Sequence, residues 1–246
     1  MSTISEAITK DHSELKQYYN EVIDSTDHDH QERFGNQFTW ELARHSVAEE
    51  ILVYPAFEKH MGDKGHQMAE SDRRDHHRVK ELLKEFQNMK PQQAEYVPKL
   101  KELWTVLSAH IEEEEKHDLP ALETALKASA GESESMAKKF GLTKAFVPSR
   151  SHPSAGENPY FESAMGMLAA SVDHIANIFR KFPEKTTSPN PSTNQFIDRF
   201  PVEGKSIPHV HTAVYVELAP HLRPSTEYMI RNRSNLIKTP AASFRY

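Results

Sequence analysis

The chain has no cysteine. That excludes disulfides, thiolate zinc sites and iron–sulfur ligation, so any bound metal must be held by histidine and carboxylate. It has no apolar run approaching the roughly 20 residues of a membrane-spanning helix. The N-terminal residues Met1-Ser2-Thr3-Ile4-Ser5-Glu6 show no basic stretch followed by an apolar one, so no secretory signal is read there and a cytoplasmic, membrane-free protein is expected. Positive charge is not in excess: 30 Lys+Arg against 36 Asp+Glu give a net charge of -6, which leaves no electrostatic footprint for nucleic acid. Nucleophile elbow, phosphate loop and dinucleotide fingerprint are missing as well.

What remains is a polar chain of 246 residues, 27% charged and 37% hydrophobic, with 15 histidines. The length suits one large domain, or one domain with a substantial appendage. Two stretches share a pattern. His45-Ser46-Val47-Ala48-Glu49-Glu50 leads to Pro55, and His110-Ile111-Glu112-Glu113-Glu114-Glu115 leads to Pro120. In each, a histidine is followed four residues on by a glutamate. On a helix these two side chains sit only about 40° apart around the axis, one turn along. A single pair of this kind is an ordinary solvated helix face; two copies in matching context are not.

Taken in order, Ile4, Ala7, Ile8, His12, Leu15, Tyr18, Tyr19 and Val22 recur at spacings of three and four and predict a first helix from Ser2 to about Asp24. Ser25–His30 reads as a loop. A second helix is expected from about Gln31 to Lys59, with Phe34, Phe38, Leu42, His45 and Glu49 on one face. Met61-Gly62-Asp63-Lys64-Gly65 signals a turn. A third helix follows from about His66 to Met89, and a fourth, interrupted near Pro98, runs to about Leu126, with Gly131 as a stop. Four long helices with short connections give an all-α fold, an up-down-up-down four-helix bundle.

The bundle contains an internal repeat. Asp11-His12-Ser13-Glu14-Leu15-Lys16 matches Asp75-His76-His77-Arg78-Val79-Lys80; the shift from His12 to His76 is 64 residues and from His45 to His110 it is 65. Two copies of a helix pair would bring two half-sites together at the bundle centre. Burying several imidazoles and carboxylates there without a partner is expensive, and a metal ion supplies the missing charge. Four His and two Glu are too many for one tetrahedral zinc and suit two octahedral irons, although ligand type alone leaves zinc and manganese open.

These residues resemble a known family. His12, His45-x-x-x-Glu49, His76 and His110-x-x-x-Glu114, on four consecutive helices from about Ile4 to Leu126, are similar to the hemerythrin-like (HHE cation-binding) domain. The resemblance implies a four-helix bundle over 1–130 with two iron ions bridged by two carboxylates and an oxo or hydroxo group. His12 and His45 would hold one side, His76 and His110 the other, with Glu49 and Glu114 bridging. Two departures stand out. Oxygen-carrying hemerythrins have a further histidine four residues after the third-helix ligand, where this chain has Lys80. A lysine ammonium is a poor iron ligand, so reversible O2 carriage is disfavoured and a more open site is expected. The oxygen carriers also place the fourth-helix carboxylate at +5, here Glu115. On a regular helix +5 lies about 140° away while +4 stays on the face, so Glu114 is preferred and Glu115 is the runner-up. By the same reasoning Glu50 is an outer or surface residue, and His77 points about 100° away from His76. Tyr18, Tyr19 and Tyr54 lie near the ligands in sequence, either as core residues or as hydrogen-bond donors to the centre. Asp11 and Asp75 each precede a ligand histidine, but adjacent helical residues point different ways, which makes them weak outer partners.

Residues 131–246 are expected to form an extension packed on the bundle, with loops, a helix over about 158–182 and a short strand near His209-Val210-His211 that would be a second metal site only with a third partner. Its start, Phe146-Val147-Pro148-Ser149-Arg150-Ser151-His152-Pro153, is similar to the tails of fungal hemerythrin-domain proteins. The leading functional expectation is an O2- or peroxide-dependent non-heme di-iron oxidoreductase acting on a small molecule, as a monomer or homodimer. The alternatives are a non-catalytic module that senses or binds O2, NO or iron, and a structural domain with metal capacity. Nothing in the sequence singles out a catalytic residue or a substrate.

Overall fold

Thr3 starts the first helix, α1 (Ile4–Ile23). Its hydroxyl accepts the Glu6 N–H at 3.2 Å while its own N–H donates to the Glu6 carboxylate at 3.0 Å, which satisfies two of the donors a helix start leaves open. Asp27 caps α2 (His28–Phe86) by accepting the Asp29 N–H at 2.9 Å, so the predicted loop ends earlier, at His28. The computed structural model describes residues 2–151, 173, 177 and 180–186. Its remaining elements are α3 (Tyr96–Glu113), a π-helical segment (Glu114–Asp118), α4 (Leu119–Leu126) and α5 (Glu132–Phe146). Among the described residues there is no strand, and no helix is long and apolar enough to cross a membrane.

α2 is two arms that reverse at one residue. Gly62 sits at φ 58° and ψ -136°, a backbone conformation that suits glycine and breaks the helical path. Phe38 meets Phe86, Glu50 meets His76 and Glu58 meets Arg73. The numbers rise along one arm as they fall along the other, so the arms are antiparallel. The expected turn over Met61–Gly65 therefore contracts to Gly62. At Gly65 the arms come so close that a Cβ would stand 1.9 Å from the Phe57 carbonyl oxygen. Pro98 does not interrupt a helix; it is the third residue of α3, in the first turn, where a missing N–H costs nothing. α3, the π segment and α4 continue one another. With α1 and the two arms of α2 they complete the expected four-helix bundle.

The bundle buries two apolar cores. One holds Leu15, Tyr18, Val22, Phe38, Leu42, Val79, Leu82, Phe86, Leu100, Leu103 and Leu107. The other holds Ile4, Ile8, Val53, Tyr54, Phe57, Ala69, Leu119, Leu122, Leu126, Met136 and Phe140. Each fully buried side chain of this size contributes about 2 kcal/mol of burial free energy. Between the two cores, every helix of the bundle switches to polar residues: His12 on α1, His45 and Glu49 on the first arm, His76 on the second, His110 near the end of α3 and Glu114 at the start of the π segment. All six are buried.

The sequence did not announce α5. Gly131, at φ 79°, is the residue from which it departs rather than only a stop. Met136 and Phe140 insert into the second core. Beyond it, Ser151 Oγ donates to the Lys80 carbonyl at 2.6 Å, Asn177 donates to Ser149 Oγ at 2.7 Å and Arg33 donates to the Phe182 carbonyl at 3.0 Å, which tie these residues to the bundle. Asp173 and Asn177 are helical. The rest of the helix expected at 158–182, and the strand expected near His209, lie outside the described residues.

Candidate metal centre

Each helix brings its polar residue to the same level. His12 and His45 form an edge-on ring pair with centroids 4.9 Å apart, and His76 and His110 form a second at 4.7 Å. Glu49 reaches one histidine of each pair: its Oε2 lies 3.2 Å from His45 Nε2 and 3.4 Å from His76 Nε2. Glu114 does the same for the other two, 3.3 Å from His12 Nε2 and 3.9 Å from His110 Nε2. The six sequence-predicted residues are thus gathered into one cluster with approximate two-fold symmetry, and all four imidazoles present Nε2 inward.

The outward Nδ1 atoms are served by a second set of carboxylates. Glu115 Oε1 lies 2.8 Å from His12 Nδ1, Asp11 Oδ2 lies 3.2 Å from His45 Nδ1 and Glu50 Oε1 lies 3.2 Å from His76 Nδ1. The fourth contact is longer, 3.9 Å from Asp75 Oδ2 to His110 Nδ1. A carboxylate on Nδ1 fixes the tautomer that leaves Nε2 free for a metal and raises its basicity. Asp11 and Asp75 serve the histidine of the next helix rather than the one beside them in sequence, which removes the objection that adjacent side chains diverge. Glu50 is one of these outer partners. His77 is 44% exposed and pairs with Glu81 at 3.5 Å, away from the cluster.

The choice between Glu114 and Glu115 rested on regular helix geometry, and the helix is not regular there. The Leu119 N–H donates to the Glu114 carbonyl, five residues back, and Pro120 follows with no N–H to give to the Lys116 carbonyl. Glu114 is fully buried, with its Oε2 between the Nε2 atoms of His12 and His110. The wider turn leaves Glu115 beside the same histidine, on its Nδ1 side and partly exposed. Of the three tyrosines, Tyr54 reaches the cluster, with its hydroxyl 2.9 Å from His76 Nε2. Tyr19 stacks on Trp104 and Tyr18 packs near Phe34.

Two contributors come from α5, which sequence reasoning missed. Lys144 donates to Asp11 Oδ2, and to Glu41 Oε1 at 2.7 Å. Phe140 lies edge-on to His45 at 5.9 Å. The only signal in sequence was an amphipathic spacing of four between Phe140 and Lys144.

The donor set fits a pair of cations. Ligand-capable atoms of His12, His45 and Glu49 lie within 4.8 Å of one another, and so do those of Glu49, His76 and His110. Both oxygens of Glu49, both of Glu114 and His12 Nε2 are buried without a hydrogen-bond partner. Such a concentration of orphaned polar atoms is costly unless something coordinates them. The protonation pattern agrees. Burial, then the charge of Glu114, pushes the Glu49 carboxyl well above the usual range. Burial opposes charge on His12, but Glu114 and Glu115 more than offset it and push its pKa up to about 9. Glu114, raised by burial but lowered more by His12, falls to about 2. Burial lowers His45; burial and Lys80 lower His76 further; burial and His76 bring His110 to about 4. The raised Glu49 carboxyl and the raised His12 imidazolium thus both favour a bound proton where cations would balance the charge. Burial, then Asp118, Glu114 and Asp75, push the neighbouring Asp72 up to about 8.

Comparison with known proteins places the chain among cation-binding helical bundles. The family profile described as Hemerythrin HHE cation binding domain matches residues 3–122. A hemerythrin-like protein of Schizosaccharomyces pombe is 50% identical over 183 residues, covering 74% of this chain and 89% of the relative. A crystal structure of a hemerythrin HHE cation binding domain-containing protein from Mycobacterium kansasii superposes with a TM-score of 0.50 at 21% identity, over 58% of this chain and 88% of that one.

Proposed function

Because this chain belongs to the hemerythrin HHE cation-binding family, we propose that its centre holds two iron ions and that it turns over O2 or peroxide on a small molecule rather than carrying O2 reversibly. Iron bound there would supply the electrons and the Lewis acidity that such chemistry needs. His12, His45, Glu49, His76, His110 and Glu114 would hold it, and Glu115, Asp11, Glu50 and Asp75 would keep the imidazoles aimed.

The observation that carries the preference for turnover is Lys80. It stands where oxygen-carrying relatives place a fifth histidine, and its ammonium is committed to Glu50 at 2.6 Å. No imidazole is offered from that position, so the His76–His110 side has fewer protein donors and more room for an exogenous ligand. Tyr54, fully buried beside His76, has a phenol that can donate a hydrogen bond or deliver a proton at that open side. Burial raises its pKa well above that of a free phenol, so the hydroxyl keeps its proton at neutral pH. The two apolar cores above and below exclude bulk water from the layer.

Elemental analysis with an ultraviolet–visible spectrum, before and after reduction and re-exposure to air, tests the reading. Two irons per chain, rapid oxidation in air and no reversible oxygenated form are expected. A stable adduct that releases O2 under vacuum would favour the alternative, a sensing or binding protein. One zinc in place of iron would remove both.

A further inference from the structure

We propose that Asp72, Asp75 and Asp118 form an acquisition site through which a hydrated divalent cation enters the centre. The inference rests on the reading that the centre holds metal. Asp72 is 3% exposed, and its Oδ2 has no hydrogen-bond partner. Ligand-capable atoms of Asp72, Asp75 and His110 lie within 4.8 Å of one another. Asp75, at 52% exposure, opens to solvent, while His110 belongs to the centre. These three residues therefore make a continuous line of donors from water to the inner imidazoles. Asp118, buried at the end of the π segment that begins with Glu114, adds a second carboxylate whose charge acts at Asp72.

The other acidic groupings differ in one respect. Asp11, Glu14 and Glu41 already hold protein cations, Lys144 and Lys10. Glu58 and Glu70 hold Arg73. Among the described residues, neither Asp72 nor Asp118 makes an ion pair. Their oxygens are left for something that arrives from outside. Hard carboxylate oxygens suit a cation that still carries water, and Asp72 stands where that water would be given up before the ion passes to His110 and Glu114.

Uptake of Co(II) by the metal-free full-length protein, followed by its visible absorption in stopped flow, is the test. Asp72→Asn and Asp118→Asn should each slow uptake by about tenfold, within the range electrostatic steering supplies. Final cobalt content and helical content should be unchanged. The salt dependence of the uptake rate should flatten in both variants, which a purely structural role would not produce. Asp72→Glu, which keeps the carboxyl oxygens, should recover most of the rate. Unchanged uptake in both Asn variants would overturn the proposal, and so would a final content lowered to one cobalt, because Asp72 would then be a permanent ligand. If the wild-type protein takes up no Co(II), the metal-centre reading itself fails.

Discussion

Lys80 donates to one oxygen of Glu50 at 2.6 Å, and the other oxygen of Glu50 lies 3.2 Å from His76 Nδ1. The lysine thus acts on the centre through a carboxylate rather than as a ligand. Lys80→His should restore an imidazole at that position and slow air oxidation of the reduced, iron-loaded protein by about tenfold, equivalent to ~1.4 kcal/mol in the barrier. Lys80→Met should instead leave Glu50 buried without its cation and lower stability by about 2 kcal/mol. Stopped-flow oxidation and chemical denaturation measure the two effects separately.

His76 and His77 are neighbours with opposite fates. His76→Ala should reduce the metal content of the purified protein to one ion or fewer per chain, whereas His77→Ala should leave it unchanged. Elemental analysis decides; the reverse pattern would reject the inward orientation of His76.

Asp11 links α5 to the centre. Asp11→Asn should weaken metal affinity by about 10–100-fold by releasing the orientation of His45. Lys144→Met should produce a smaller loss of the same kind, because Asp11 keeps its place but loses its cation. Competition with a chelator of known affinity measures both, and equal affinities across the series would mean that α5 does not support the site.

The protons on the metal-free centre set a pH dependence. His12 is held up to about 9, so it carries a proton at pH 7 and must lose it when a cation binds, and the raised Glu49 carboxyl acts in the same direction. Affinity should therefore rise with pH until about 9 and fall in acid. Calorimetric titration in buffers of different ionisation enthalpy should show at least one proton released per chain at pH 7.

Gly65→Ala tests the reversal at Gly62. The added methyl would meet the Phe57 carbonyl, which belongs to a helix backbone and cannot step aside. A loss of about 3 kcal/mol is expected from forcing the arms apart, read as a lowered midpoint in urea.

The helices and the six inner residues were legible because they obey one periodicity: apolar residues at three and four, then His and Glu on the same stripe. What lay outside that rule was not. Asp11 and Asp75 act across to the neighbouring helix, a relation that spacing within one helix does not contain. Lys144 is buried by its partners rather than by apolarity, so a search for apolar stripes passes over α5. Glu115 reads only as the runner-up to Glu114 under a uniform turn angle, and its place on His12 Nδ1 follows from a stretch where the turn widens. A sign of the widening was present: Leu103, Leu107, His110 and Glu114 follow intervals of four, three and four, and the next buried apolar residue, Leu119, comes after five.

That interval of five makes the last helix of the bundle behave like two reading frames joined by a single inserted letter. Upstream of the insertion the frame delivers His110 and Glu114 to the centre; downstream it delivers Leu119, Leu122 and Leu126 to the second core. Loss of any one residue between Lys116 and Asp118 would close the extra turn and rotate one frame against the other by about 100°. Lys116 and His117 face solvent, so at these two positions the centre depends on a count of residues rather than on their chemistry.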